Sequence, residues 1–118
     1  MSRLLGLAAG AALALAPGLA FAQASGNAVK IGVLNDQSGI YADFGGKWSV
    51  EAARLAVADF GGKVLNVPIE IVSADHQNKP DVASTIARGW YDNDGVDAIV
   101  ELTTSSVALA VQKLSAEK

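Results

Sequence analysis

Four consecutive hydroxyl side chains, Thr103 to Ser106, form the part of this 118-residue sequence most suited to binding chemistry. They follow an apolar run and precede a segment rich in Ala, Val and Leu that is typical of a helix. One Ser or Thr can cap a free backbone N–H group at a helix start. The same helix end favours an anion through its unpaired N–H groups and partial positive charge. The run therefore predicts either a cap and turn or one wall of a carboxylate site.

A second candidate segment spans Asp36 to Gly46 and combines Ser38-Gly39 with the aromatic residues Tyr41 and Phe44. Glycines allow a ligand or another backbone to approach closely. An aromatic ring can stack on a ligand or form an apolar wall beside it. Both rings can equally pack beneath the loop as core, and the residues alone leave these alternatives open.

Catalytic, metal and cofactor sites find no support in the sequence. No GxGxxG or GxxxxGK[ST] pattern occurs, so neither a dinucleotide nor a P-loop role is indicated. His76 is the single histidine and lacks further ligands at metal-binding spacing. Asp36 and Asp43 flank the aromatic loop, but loop aspartates more often form turns. We therefore expect no enzyme, no metal and no cofactor.

The elements that must position these residues alternate between strands and helices. The predicted strands span residues 29–35, 69–74 and 96–102, and the predicted helices span residues 47–60, 81–91 and 106–116. Such alternation is typical of βαβ units with right-handed crossovers. The predicted fold is α/β, a three-layer, doubly wound parallel sheet with helices on both faces.

The three loops that leave the carboxyl ends of the strands are the place to look for a site. They are Asp36–Gly46, Asp75–Pro80 and Thr103–Ser106. Away from them, Trp48, Phe60 and Trp90 occupy helical stripes and are predicted to lie in the core, whereas Gly61-Gly62 is predicted to end the first helix.

The first 22 residues resemble a secretory signal peptide. Arg3 precedes an uncharged stretch that contains Pro17-Gly18 and ends in the small-x-small triplet Ala20-Phe21-Ala22. A retained membrane anchor is the alternative, which the Pro-Gly pair and the triplet disfavour. We predict cleavage between Ala22 and Gln23 and a periplasmic location. The chain has no cysteine, and its net charge of −3 argues against nucleic-acid binding.

The predicted third helix extends to the last residues of the sequence. Three parallel strands would leave an open sheet edge and uncovered apolar faces. We therefore expect residues 23–118 to be the N-terminal part of a longer protein.

Three segments resemble the N-terminal lobe of periplasmic substrate-binding proteins of the leucine/isoleucine/valine type, the type I periplasmic binding proteins of ABC importers. They are "VKIGVLNDQSGIYADFGGKWSVEAARLAVADFGG", "IEIVSADHQNKPDVASTIARGWYDNDGVDAIV" and "TTSSVALAV". The resemblance implies two α/β lobes that close on a ligand, of which residues 23–118 would form the N-terminal part of the first.

The resemblance also implies roles for individual residues. The cleft aromatic residue of the family falls on Phe44, and its ligand-carboxylate hydroxyl falls on Thr104, with Thr103 and Ser105 beside it. Ser38 matches the first residue of the family's Ser-Gly turn. Tyr41 stands where the family often has a small or aliphatic residue, so its place among the ligand-binding residues departs from the pattern.

The implied function is that of the solute-binding component of an ABC importer. The solute would be a small carboxylate-bearing molecule, either a branched-chain or related amino acid or an aromatic acid. The implied partners are this solute and the permease subunits in the inner membrane. An extracellular ligand-sensing domain of a receptor is the alternative, which a transmembrane helix and a signalling domain farther along would favour.

Overall fold

The computed structural model describes residues 26–118, and the predicted signal peptide lies outside this range. Its elements in chain order are β1 (Val29–Asn35), α1 (Gly46–Phe60), β2 (Lys63–Val64), β3 (Val67–Asp75), α2 (Pro80–Gly89), β4 (Ala98–Val100) and α3 (Ser105–Ala116). A short 3-10 turn precedes α1 and a π-helical turn follows α2. None of the described helices combines the length and apolar character needed to cross a membrane.

The sheet has the order β2-β3-β1-β4, and β1 pairs in parallel with both β3 and β4. The chain therefore steps from β1 to β3 in one direction and from β3 to β4 in the other. Because crossovers between parallel strands are right-handed in nearly all proteins, α1 and α2 are expected on opposite faces of the sheet. The structure agrees, since α1 contacts β1 and β3 whereas α2 packs against α3. The predicted doubly wound α/β fold is confirmed.

A short hairpin makes the sheet mixed and was not predicted. β2 pairs antiparallel with the start of β3, and Leu65 and Asn66 form the turn between them. Both turn residues have positive φ, at 52° and 65°, as a two-residue type I′ hairpin requires. Gly61 ends α1 in the left-handed conformation, as predicted, with its N–H bonded to the Ala58 carbonyl.

The main core lies between the sheet and the helix pair α2 and α3. Its buried members are Leu34, Ala83, Ala87, Trp90, Val96, Val107, Val111 and Leu114. The Trp90 ring lies against β1 at Gly32, where an added Cβ would stand 2.3 Å from Cζ3 of the ring. The prediction that Trp90 belongs to the core is therefore confirmed, and Gly32 is what makes room for it.

The predicted core positions of Trp48 and Phe60 on α1 are wrong for the described part of the chain, because these side chains are 69% and 66% exposed. α1 meets the sheet through a different stripe, on which Gly46 and Val50 are buried. This stripe lies two residues, or about 200°, from the one that contains Trp48. Its smaller side chains let the helix approach the sheet closely.

The third predicted strand is shorter than expected, with three residues in place of seven. Glu101 has a φ of +67°, which no extended strand residue adopts, and this ends β4. At the other end, the Asp97 carboxylate accepts a 2.8 Å hydrogen bond from the Lys30 N–H. The Asp97 N–H donates a 2.9 Å hydrogen bond to the Lys30 carbonyl, so side chain and backbone together pair Asp97 with β1.

Candidate functional site

The carboxyl ends of β1, β3 and β4 lie side by side at one edge of the sheet. The chain leaving β1 enters α1 on one face, whereas the chain leaving β4 enters α3 on the other. Loops that diverge in this way open a crevice between neighbouring strands, which is where ligands bind in such sheets. We call the loops after β1, β3 and β4 the first loop (Asp36–Gly45), the second loop (His76–Lys79) and the third loop (Glu101–Thr104).

Two buried side chains at the end of β1 hold the first loop. The Asp36 carboxylate accepts hydrogen bonds from the N–H groups of Gly39 and Tyr41, at 2.7 and 3.0 Å. A Cβ on Gly39 would lie 2.5 Å from the same carboxylate, so only glycine fits there. The Asn35 amide donates a 2.6 Å hydrogen bond to the Gly46 carbonyl. The loop is therefore anchored at its start and at its end.

Asp75, the last residue of β3, fastens the first loop to the second. Its carboxylate accepts from the N–H groups of Gln37 and Gln77, at 3.0 and 2.8 Å, and from the Ser38 hydroxyl at 2.5 Å. Partial burial raises the pKa of Asp75, but the hydrogen bonds from Ser38, Gln37 and Gln77 and the charge of His76 outweigh this effect, so the pKa lies below its usual value.

His76 is fully buried at the start of the second loop. Its Nδ1 accepts a 2.9 Å hydrogen bond from the Asn78 N–H, so the proton of the neutral ring belongs on Nε2. The backbone N–H of His76 donates a 3.0 Å hydrogen bond to the Asn35 carbonyl. Burial lowers the pKa of His76 below its usual value, against the opposing charges of Asp36 and Asp75.

The aromatic residues of the first loop lie at its surface. Phe44 is 84% exposed, and Tyr41 is exposed to a smaller extent. Their ring centroids are 6.0 Å apart with an interplanar angle of 52°, within the range for a favourable aromatic pair. The alternative that both rings pack beneath the loop as core does not hold, and the pair presents an apolar surface.

The third loop places the hydroxyl run at the start of α3. Thr104 occupies the N-cap position by its backbone, but its side chain makes no capping hydrogen bond. Its Oγ1 is buried and has no partner among the described residues. Thr103 and Ser105 are exposed. The first helical backbone bond runs from the Ala108 N–H to the Thr104 carbonyl, so the N–H groups of the preceding turn face outward from the helix end.

Glu101 belongs to the third loop, and its side chain extends to the first loop. One of its carboxylate oxygens, Oε2, lies 3.2 Å from the point where a Cβ on Gly45 would stand. A positive φ is uncommon for a glutamate, and such a conformation costs about 1–3 kcal/mol where the surrounding structure imposes it. Glu101 lies within the predicted third strand, residues 96–102, and was not among the candidate site residues. Its conformation depends on the path from β4 to α3, which no sequence pattern showed.

Unpartnered buried polar atoms concentrate at this edge. Within residues 26–118, four buried side-chain atoms have no hydrogen-bond partner: Asn35 Oδ1, Gln37 Nε2, His76 Nε2 and Thr104 Oγ1. All four belong to residues at the carboxyl ends of β1, β3 and β4. Buried polar groups are almost always paired in folded proteins, so their grouping at one place makes this edge the candidate site.

The structure thus brings every residue of the predicted ligand set to one edge. Ser38, Tyr41 and Phe44 lie on the first loop, and Thr103, Thr104 and Ser105 lie at the start of α3. Ser38 differs from the rest, because its proton is already donated to Asp75. Among the described residues, no group of three or more His, Cys, Asp or Glu side chains is arranged to hold a metal ion.

Residues 28–118 match the protein family described as periplasmic binding protein. Among solved structures, a periplasmic binding protein from Burkholderia mallei is 52% identical, with a TM-score of 0.75, over 77% of this chain and 24% of its own. A branched chain amino acid ABC transporter periplasmic ligand-binding protein from Burkholderia xenovorans is 53% identical, with a TM-score of 0.73, over 75% of this chain and 24% of its own.

A more distant relative is an ABC transporter solute-binding protein from R. palustris, whose structure was determined in complex with benzoate. It is 28% identical with a TM-score of 0.66, over 76% of this chain and 25% of its own. The chain therefore spans about a quarter of the length of the structures it matches. No curated protein matches the chain.

Proposed function

Because the chain belongs to the periplasmic binding protein family, we propose that it is part of the solute-binding component of an ABC importer. Residues 1–22 would direct export and be removed after Ala22. Residues 23–118 would form the N-terminal part of the first of two lobes in the periplasm. The bound solute would then pass to permease subunits in the inner membrane.

The solute proposed is a small carboxylate-bearing molecule, either a branched-chain or related amino acid or an aromatic acid. The observation that supports it is the start of α3, where the buried Thr104 hydroxyl lacks a partner and lies next to exposed Thr103 and Ser105. A ligand carboxylate there accepts hydrogen bonds from hydroxyl and backbone N–H groups together. The aromatic pair of Tyr41 and Phe44 supplies an apolar wall.

Ser38 has a supporting role in the proposed site. Its hydroxyl donates its proton to Asp75, so its oxygen can only accept a hydrogen bond from a ligand. Thr104, Thr103, Ser105 and Phe44 are therefore the proposed ligand contacts, with Tyr41 beside them.

The test is a thermal-shift screen of the complete protein against amino acids and aromatic acids, followed by calorimetry on each hit. A solute at 100 times its dissociation constant stabilises the protein by about 2.7 kcal/mol, which the screen detects. We expect at least one carboxylate-bearing solute to bind in a one-to-one ratio. A screen in which no carboxylate binds, while sugars or metal ions do, would rule out the proposed solute class.

A further inference from the structure

We propose that the outward face of α1 is an interface at which two copies of the protein pair through antiparallel α1 helices. Such pairing does not depend on which solute is bound and goes beyond the proposed function. The observations that carry it are an exposed apolar seam, the direction of this seam relative to the sheet, and the charges at the two ends of the helix. The seam consists of Trp48, Ala52, Leu55 and Asp59.

The four residues of the seam recur at intervals of four, three and four positions. This is the spacing of the a and d positions of a coiled coil, which lie on one face of a helix. Trp48 and Leu55 are 69% and 65% exposed. Ala52, between them, is also exposed, and its small side chain lets a second helix approach closely. The seam therefore has the pattern of a helix–helix contact, yet it is open to solvent in the described part of the chain.

The seam faces directly away from the sheet. α1 packs on the sheet through the stripe that contains Gly46 and Val50, and the seam is centred about 170° from Val50 around the helix axis. Further strands of a three-layer fold lengthen the sheet at its edges, so their helices stand beside α1 in the same layer. The outward face of α1 is thus left for another molecule.

The charges at the two ends of α1 oppose the helix dipole. Lys47 lies in the first turn, where the partial charge is positive, and Asp59 lies in the last turn, where it is negative. Among the described residues, neither side chain forms an ion pair, whereas Glu51 and Arg54 in the middle of α1 pair with each other. Both end charges are therefore unfavourable within the helix and open to a partner of the opposite sign.

A second α1 that runs in the opposite direction supplies both partners. The match is centred where Ala52 of each copy lies opposite Leu55 of the other. Asp59 then lies opposite Trp48 of the other copy. The Lys47 ammonium group, 5.1 Å from the centroid of that ring, is thereby placed beside the Asp59 carboxylate. A two-fold axis makes each of these contacts twice.

The charge pattern also selects the occupant. α1 is positive at one end and negative at the other, so its complement is the same helix reversed. A parallel pair would bring like charges together at both ends, which electrostatic complementarity disfavours. The paired surface is one helix face on each copy, smaller than the roughly 800 Å² per partner of a standard stable interface. We therefore expect a dimer in equilibrium with the monomer, with a dissociation constant of about 1–100 µM.

Dimerisation is measured by sedimentation velocity on the complete protein from about 0.1 µM to 1 mM, which brackets this dissociation constant. In the wild type we expect a monomer–dimer equilibrium that depends on concentration. Leu55→Gln should weaken the dimer by at least about tenfold, since it places two amides in the apolar seam. The matched control is Leu109→Gln on α3, at a leucine that is 67% exposed and belongs to the helix pair on the opposite face of the sheet. This variant should dimerise like the wild type.

Charge reversal tests the antiparallel arrangement. Lys47→Asp and Asp59→Lys should each weaken the dimer by at least about tenfold, because like charges then meet, and the double variant should restore it. Each reversal brings the charge into accord with the helix dipole, so the melting temperature of the monomer at the lowest concentration should not fall. Repulsion between copies is thereby distinguished from unfolding.

A wild-type protein that stays monomeric at every concentration would refute the inference. A dimer that neither Leu55→Gln nor the single reversals weaken would refute it as well, because its interface would lie elsewhere. If the double variant did not regain the dimer, the antiparallel pairing of α1 would be wrong.

Discussion

The Ser38 hydroxyl donates a 2.5 Å hydrogen bond to Oδ2 of Asp75, and this bond joins the first two loops of the site. The same carboxylate receives the N–H groups of Gln37 and Gln77 through its other oxygen. One side chain at the end of β3 therefore sets the path of the loop that displays Tyr41 and Phe44. The shape of the site depends on carboxylates that do not have to touch the solute.

Replacing Asp75 by Asn should destabilise the protein by about 1–3 kcal/mol at neutral pH, because a charged acceptor of three hydrogen bonds is lost. Ser38→Ala should cost less, since the two backbone donors remain, and it should move the pKa of Asp75 upward. Urea denaturation measures the first effect, and an NMR titration of the Asp75 carboxyl group measures the second. Asp59→Asn, at an exposed position on α1, is the control and should be neutral in the monomeric protein.

The pH dependence of this effect has a defined direction. The pKa of Asp75 is lower in the folded protein than its usual value, so its charge stabilises the folded state above about pH 4. The contribution is lost as the pH falls through the folded pKa. The stability difference between wild type and Asp75→Asn should therefore shrink in acid. A difference that stays constant down to pH 2 would contradict the prediction.

Gly32→Ala should be among the most destabilising single-methyl changes in the chain. The new Cβ would stand 2.3 and 2.6 Å from two ring carbons of Trp90, and neither the central strand nor the buried ring can move freely. Overpacking of this kind costs about 1–3 kcal/mol. Gly89→Ala is the matched control, because it has helical φ and no atom within 4 Å of the new methyl group, and it should be neutral or stabilising. Thermal unfolding of both variants gives the comparison, and equal melting temperatures would disprove the proposed clash.

Thr104→Val should separate binding from stability. Its hydroxyl makes no capping bond, so its loss should change the free energy of unfolding by less than about 0.5 kcal/mol. A hydrogen bond to a charged ligand is worth about 1.5–3 kcal/mol, so the affinity for the solute should fall by roughly ten- to a hundredfold. Calorimetry and denaturation measure the two quantities. Thr85→Val on α2 is the control and should bind normally, whereas an unchanged affinity in Thr104→Val would remove Thr104 from the site.

Much of the fold followed from the sequence because its patterns are local. β1 spans the seven predicted residues, since an apolar run buried at its centre has few other solutions. α3 begins one residue before its predicted start, and Val107, Val111 and Leu114, which recur at helical spacing, are buried. The edge that gathers the three loops followed from the order of the elements alone.

What the sequence did not predict depends on relations between distant residues. α1 has two apolar stripes, and which of them meets the sheet is decided by how closely Gly46 and Val50 approach it. Aspartate is a common turn residue, so the sequence indicated no special role for Asp75. Its role depends on the pairing of β3 with β1, which places Asp75 beside the start of the first loop. The position of the Glu101 carboxylate was not predicted for the same reason, because it lies beside Gly45, which is 56 positions earlier in the chain.

The stability of the protein should fall between pH 7 and pH 5 because of His76. Its pKa is lowered in the folded state by burial, so the unfolded chain binds the proton more readily and stability rises with pH up to about 6.5. Geometry gives the same direction. Protonation at Nδ1 would turn the acceptor of the Asn78 N–H into a second donor and break a 2.9 Å hydrogen bond inside the fold. The slope from this one group has an upper limit of about 1.4 kcal/mol per pH unit.

A change in stability between pH 5 and 8 can be assigned to His76 because the sequence contains one histidine. Urea denaturation of the complete protein at intervals between pH 5 and 8 gives the wild-type slope, and His76→Gln gives the reference. Glutamine offers a carbonyl oxygen to the Asn78 N–H and does not titrate, so the variant should be flat across this range, although less stable at pH 8. The charges of Asp36 and Asp75 favour the protonated ring and so oppose the effect in the wild-type protein. If His76→Gln retained the wild-type slope, the buried imidazole would not be the titrating group.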